Sequence, residues 1–197
     1  MKLILKIKNI LFTPKNEWAK IKEESSTISQ LFFSYNIILA AIPPVMSFFS
    51  NLLFGNFKRP FTGWSWNLVF NDFLHAVSTY LFYLTACFFL GIFLDLFAPV
   101  FSSVRNSTKA YKLVSYSLTP FWLGGFFYFI PRMGWALNIM AGLYGIYLLY
   151  LGISSGIMKT PKDKVFWYFL INIVFIIILI GTIKIILVFI FYIWRVF

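Results

Sequence analysis

Apolar residues fall along this chain in five long runs, at residues 31–54, 73–97, 113–130, 135–158 and 165–194, with short polar stretches between them. A helix needs roughly 20 mostly apolar residues to cross a bilayer core of about 30 Å. The runs are near that length or longer, and they are continuous. Strands of a membrane barrel would instead alternate over about ten residues. The pattern therefore predicts an all-α integral membrane protein. Residues 29–197 are expected to form a bundle of five transmembrane helices, with residues 1–28 as a short amphipathic N-terminal segment on the cytoplasmic side. The connections leave no room for a soluble domain.

Within the N-terminal segment, Leu3, Ile4, Ile7, Ile10 and Leu11 share one helical face, and Lys2, Lys6 and Asn9 share the opposite one. Such a helix either lies in the interface with its lysines near anionic headgroups or packs under the bundle. Thr13 reads as the N-cap of a second short helix with Pro14 at its first position. In the first run, Pro43 and Pro44 remove two backbone donors and predict a kink or break. In the third, Pro120 follows Thr119, whose hydroxyl can serve a freed carbonyl. Pro131 and Gly134 predict a tight turn into the fourth run.

The composition agrees with the pattern: 60% of the residues are hydrophobic, 22% aromatic and only 12% charged, against about 25% charged in soluble domains. Mean hydropathy is +0.83. A net charge of +11 raises nucleic acid as a partner, but the placement of the charges argues against it. Lys2, Lys6, Lys8, Lys15, Lys20 and Lys22 precede the first run. Arg105, Lys109 and Lys112 separate the second from the third, and Lys159, Lys162 and Lys164 the fourth from the fifth. With five spans, these twelve of the 17 basic residues share one side. Cytoplasmic loops carry the lysine and arginine excess, so the N-terminus is expected in the cytoplasm and the C-terminus outside. Trp64, Trp66, Trp135 and Trp194 then fall at the outer interface, with Trp18 and Trp167 at the inner one, as an aromatic belt requires. The start has no small-residue cleavage site and does not read as a secretory leader. Cys87, the single cysteine, reads as core filler.

Candidate chemistry is sparse. There is no phosphate loop, nucleophile elbow or paired-carboxylate spacing, and the single histidine, His75, with Asp72 one turn earlier, supplies too few ligands for zinc. No enzymatic activity, cofactor or metal is expected. The candidate polar residues in or beside the runs are Asp72, His75, Asp95, Asn138 and Lys184, and intramembrane ionisable groups are functional candidates by default. Asp72 lies six residues past Trp66 and Lys184 ten before Trp194, depths of about 9 and about 15 Å at ~1.5 Å per residue. A snorkelling lysine would bring the two charges level, which predicts an Asp72–Lys184 pair. Asp95, at the end of the second run with Pro99 after it, is expected to staple that end to the next loop through Arg105, Lys109 or Lys112. Ala141, Gly145, Gly152 and Gly156 form a small-residue stripe on the fourth run, where another helix can approach closely.

Several segments together resemble the Yip family (Ypt/Rab-interacting proteins), small membrane proteins with five spans. The segment NILFTPKNEWAKIKEE, with Pro14 and Trp18, is similar to the opening of the prokaryotic branch. DLFAPVF, holding Asp95 and Pro99, resembles the family's Asp-Leu-x-Gly-Pro signature, with Ala98 where the family usually has glycine. YSLTPFWLGGFFYFIPRMG carries Tyr116, Pro120 and Pro131. GLYGIYLLYLGISSGIMKTPKDK carries Tyr144, Tyr147, Pro161 and Lys164. Eukaryotic relatives bind prenylated Rab GTPases in vesicle traffic, and the resemblance implies a membrane scaffold or interaction protein rather than an enzyme. The long hydrophilic N-terminal region of those relatives is missing here, so GTPase binding is not carried over. A bacterial cytoplasmic membrane is the expected setting, with the lipid bilayer, anionic headgroups, a second copy or other membrane proteins as partners. The alternative is a transporter or channel for an ion, lipid or small solute. Broken helices at Pro43, Pro44 and Pro120 would then surround a path lined by Asn67, Asp72, His75 and Asn138.

Overall fold

The computed structural model describes residues 2–58, 66–130 and 132–196, and they are helical, with no strand among them. Two short helices come first, α1 (Lys2–Phe12) and α2 (Pro14–Glu23). The first apolar run is built from α3 (Ile28–Leu31), a π-helical turn (Phe32–Asn36), α4 (Ile37–Ala40) and α5 (Ile42–Lys58). The second is the long α6 (Trp66–Phe97), closed by a 3-10 turn (Ala98–Phe101). The third is α7 (Ser107–Ser117), α8 (Thr119–Gly124) and a 3-10 turn (Gly125–Phe129). The fourth and fifth are α9 (Gly134–Ser154) and α10 (Val165–Val196).

Four of these stretches are helices long and apolar enough to cross a membrane: 28–55, 66–101, 134–154 and 165–182. The third run does not qualify as one helix because its chain is broken. Pro120 has no N–H for the carbonyl of Tyr116, four residues back. Thr119 Oγ1 supplies the missing donor, bonding Tyr116 O at 2.7 Å. A similar repair holds the first run. Its α4 ends at Ala40, so that Pro43 and Pro44 fall in the first turn of α5, where an N–H is not needed. The carbonyl of Ile37, left over by the break, accepts from Tyr80 Oη of α6 at 3.1 Å. An apolar setting demands such partners, since an unsatisfied backbone group there costs several kcal/mol.

The third run forms the centre of the bundle. Every residue of α7 from Ala110 to Ser117 is buried. It lies between α6 on one side and α9 on the other, and glycines set the spacing. A Cβ on Gly145 would sit 2.6 Å from the carbonyl oxygen of Ser117, and one on Gly125 would sit 2.5 Å from Cα of Pro43. The small-residue stripe of α9 thus faces the third run through Ala141 and Gly145. Gly152 meets side chains, those of Leu113 and Trp18. Gly156 lies past the end of α9 at φ +74, where it turns the chain.

α6 begins seven residues before the apolar run, because Asn67, Asn71 and Asp72 are polar yet tolerated in a helix. At 32 residues it is about 48 Å long, well beyond the thickness of a bilayer core. The turn at its far end is made without a glycine. Ala98 is fully buried in the 3-10 turn, and the left-handed residue is Ser102 at φ 56.

Segments from four parts of the chain meet at one end of the bundle. Val104 N donates to Met158 O at 2.7 Å, Ser103 Oγ to Thr160 Oγ1 at 2.9 Å, and Lys164 Nζ to Ser102 Oγ at 2.8 Å. Lys112 Nζ donates to the carbonyl of Glu24. This basic end also receives α1 and α2, whose Ile10, Trp18 and Ile21 are fully buried. At the other end Ser50 Oγ donates to Tyr128 O at 2.5 Å. α1 packs under the bundle through Leu3, Ile7, Ile10 and Leu11 and leaves Ile4, Leu5 and Phe12 exposed. Thr13 does not cap α2 with its side chain; its hydroxyl donates back to Asn9 O at 3.1 Å.

Candidate functional site

The π-helical turn inserts one extra residue into the first run, and two consecutive side chains, Tyr35 and Asn36, become buried. Such turns recur at functional positions. Tyr35 reaches the broken third run: its Oη lies 2.6 Å from Thr119 Oγ1. The hydroxyl hydrogen of Thr119 is committed to Tyr116 O, so Tyr35 is the donor in this pair. Asn36, at 0% exposure, uses Nδ2 to meet Tyr111 Oη at 2.6 Å, Ser115 Oγ at 3.0 Å and Cys87 Sγ at 3.3 Å. One amide therefore links the first, second and third runs. Its Oδ1 is buried with no hydrogen-bond partner among the described residues.

Breaking this knot has a predictable size. Asn36→Ala leaves the Tyr111 and Ser115 hydroxyls short of a partner inside the bundle, at about 1–3 kcal/mol. Tyr111→Phe is expected to cost less, and the double variant to lose less than the two singles combined. Thermal unfolding of the four proteins in detergent measures this. Strictly additive losses would contradict the knot.

The basic end holds the second part of the site, a cleft of about 990 Å³ between α1, α2, α3 and α7. Tyr35 and Tyr116 form its inner wall, their rings meeting edge to face at 4.9 Å. Lys6 lies over the Tyr116 ring at 5.0 Å and is paired with Glu24. Glu17 accepts from Asn9 Nδ2 at 3.1 Å and faces Lys20 at 3.9 Å. Behind the cleft, the fully buried indole of Trp18 packs edge-on to Tyr116 at 6.3 Å.

A family model described as the Yip1 domain matches residues 8–195. The chain belongs to the Yip1 family. No curated protein and no solved structure matches it.

The positions that carry the resemblance gather largely at the basic end. Pro14 opens α2 and places Trp18 four residues on, against Tyr116. Tyr144 Oη donates to Leu11 O at 2.6 Å, tying α9 to α1. Tyr147 is exposed beside it. Lys164 reaches Ser102 across the turn that Pro99 begins, and Pro161 lies in the same loop. Asp95 is buried, accepts from Ser107 Oγ at 2.7 Å and lies 3.5 Å from Arg105 Nε. Of Arg105, Lys109 and Lys112, Arg105 is the one the structure brings close to it. Pro131 lies outside the described residues.

The other polar candidates lie at separate places among the described residues. Asn138 is buried beside Gly124 and donates to Tyr128 Oη at 2.9 Å, and its Oδ1 has no partner among the described residues. Asp72 accepts from Asn51 Nδ2 at 3.4 Å, on the far half of α6, and His75 is exposed there. The side chain of Lys184 lies outside the described residues, and so does its expected pair with Asp72. Trp18 departs from the expectation of an interface anchor, because α2 lays its indole against Gly152 of α9 and Tyr116 of α7. Sequence reasoning did not single out Asn36, Tyr35 or Asn172, which is buried on α10 and donates to Tyr168 O at 2.7 Å.

Proposed function

We propose that this Yip1-family membrane protein is a non-enzymatic scaffold that presents its basic end to partner proteins. Five membrane crossings, a cytoplasmic N-terminus and an outer C-terminus complete the reading, in a bacterial cytoplasmic membrane. The observation that carries it is the way buried polar side chains are taken up by neighbouring helices. Asn36 binds Tyr111 and Ser115, Tyr35 binds Thr119, and Asn138 binds Tyr128. These bonds fix the first run to the third and the third to the fourth, which favours a braced bundle over a path for a passing solute. Gly145 is likewise engaged within the chain, against Ser117, so partners meet other faces.

The crossing number has its own support. Val104 and Met158 are hydrogen-bonded, so the loops before the third run and after the fourth share one end. The fourth run crosses the bundle once between Gly134 and Ser154. This supports a third run that crosses it as well, broken helix included.

Reconstitution into vesicles tests the scaffold against the conduit. A scaffold gives no ion or solute flux above empty vesicles. It also gives a reproducible set of membrane proteins on cross-linking in native membranes, reduced when Trp18→Ala loosens the basic end. Saturable flux lost in Asn36→Leu would overturn the reading.

A further inference from the structure

The cleft at the basic end is built from two chemistries. Leu3 and Leu5 of α1 line it together with Lys6, Glu17, Lys20 and Glu24. Ile4, Leu5 and Phe12 of α1 are exposed. Apolar side chains on a surface helix sink to the boundary between headgroups and acyl chains, which sets the cleft beside the headgroup layer. We propose that it binds the headgroup of a zwitterionic phospholipid bearing a primary ammonium, of the ethanolamine type.

Charge balance selects the zwitterion. Among the side chains that line the cleft, two cations face two carboxylates, and each pair can exchange one partner for the ligand's opposite charge. Lys20 is the mobile member. Its side chain is 70% exposed and stands 3.9 Å from Glu17, so it can turn to a phosphate. Asn9 and Lys20 both approach Oε2 of Glu17, which leaves Oε1 for an ammonium. An anionic headgroup would instead bring an uncompensated charge beside Glu17, whose residue is 4% exposed, where screening is weak. A quaternary ammonium has no N–H to give. The acceptors here reward a donor: Oε1 of Glu17, and Oγ of Ser26, a buried atom in the cleft wall with no hydrogen-bond partner among the described residues.

Lipid binding here rests on the membrane setting proposed above and not on any protein partner, so the purified chain tests it alone. The full chain in mild detergent is titrated separately with dioleoyl phosphatidylethanolamine, phosphatidylcholine and phosphatidylglycerol, and with free phosphoethanolamine, and bound species are counted by native mass spectrometry. The ethanolamine lipid is expected to bind about tenfold tighter than the other two, the worth of one charge-assisted hydrogen bond. Free phosphoethanolamine should bind more weakly than the lipid, lacking the chain that meets Leu3 and Leu5. Lys20→Met, at an exposed position, should weaken the ethanolamine lipid about tenfold. Glu17→Gln should shift preference toward phosphatidylglycerol, which loss of fold would not do. Equal binding of the three lipids, or a free headgroup as tight as the lipid, overturns the proposal. So does a Lys20→Met protein that binds the ethanolamine lipid as tightly as the parent, whatever becomes of Glu17→Gln.

Discussion

Trp18→Ala is expected to destabilise the protein by about 3–5 kcal/mol, the range for removing a large aromatic from a packed core. The indole is fully buried. It closes the volume that Gly152 leaves open, where a Cβ would stand 3.0 Å from its ring, and it packs on Tyr116. Without it, α2 loses the anchor that holds it to α7 and α9, and residues 13–26 should become accessible to protease before the rest of the chain. Trp167, 60% exposed, is the control: its replacement by Ala should change the thermal midpoint little. A Trp18→Ala protein as stable and as protease-resistant as the parent would remove α2 from the core.

Gly145→Leu should be comparably severe. The nearest atom to a Cβ there is backbone, the Ser117 carbonyl oxygen at 2.6 Å, which cannot rotate away as a side chain would. Overpacking of a tight core costs about 1–3 kcal/mol for added methylenes, and a full leucine must push α9 off α7, so a loss at or beyond the top of that range is expected. Gly181→Leu, where a Cβ meets nothing within 4 Å, should be silent. Thermal midpoints in detergent decide between them. Equal midpoints for both variants would mean that α9 does not sit on the third run.

Continuous apolarity made the helices legible, because it leaves a chain in lipid no other way to satisfy its backbone. The repair at Pro120 was also legible, since Thr119 stands next to the donor that is lost. Bonds across the bundle were not. Asn36 is one amide in an apolar run, and its partners Tyr111 and Ser115 are 75 and 79 residues away. No local spacing announces such a contact. Trp18 was misplaced for a related reason. An indole near a predicted interface ordinarily stays wet at one edge, and only the return of α2 over Gly152 buries it. The stripe on α9 was half readable: Ala141 and Gly145 face a helix, whereas Gly156 is small because the chain turns there at positive φ. Among the described residues, Asp72 meets Asn51 at 3.4 Å, a partner on the adjacent helix end that charge reasoning alone does not offer.

The central claim is that the broken third run, α7 and α8 together, carries the chain across the membrane. Accessibility reporters placed at the N-terminus, at Lys162 and after Phe197 test it most directly. The account predicts Lys162 on the same side as the N-terminus, in the cytoplasm, and the C-terminus outside. Lys162 outside with a cytoplasmic C-terminus would mean four crossings, and would contradict it.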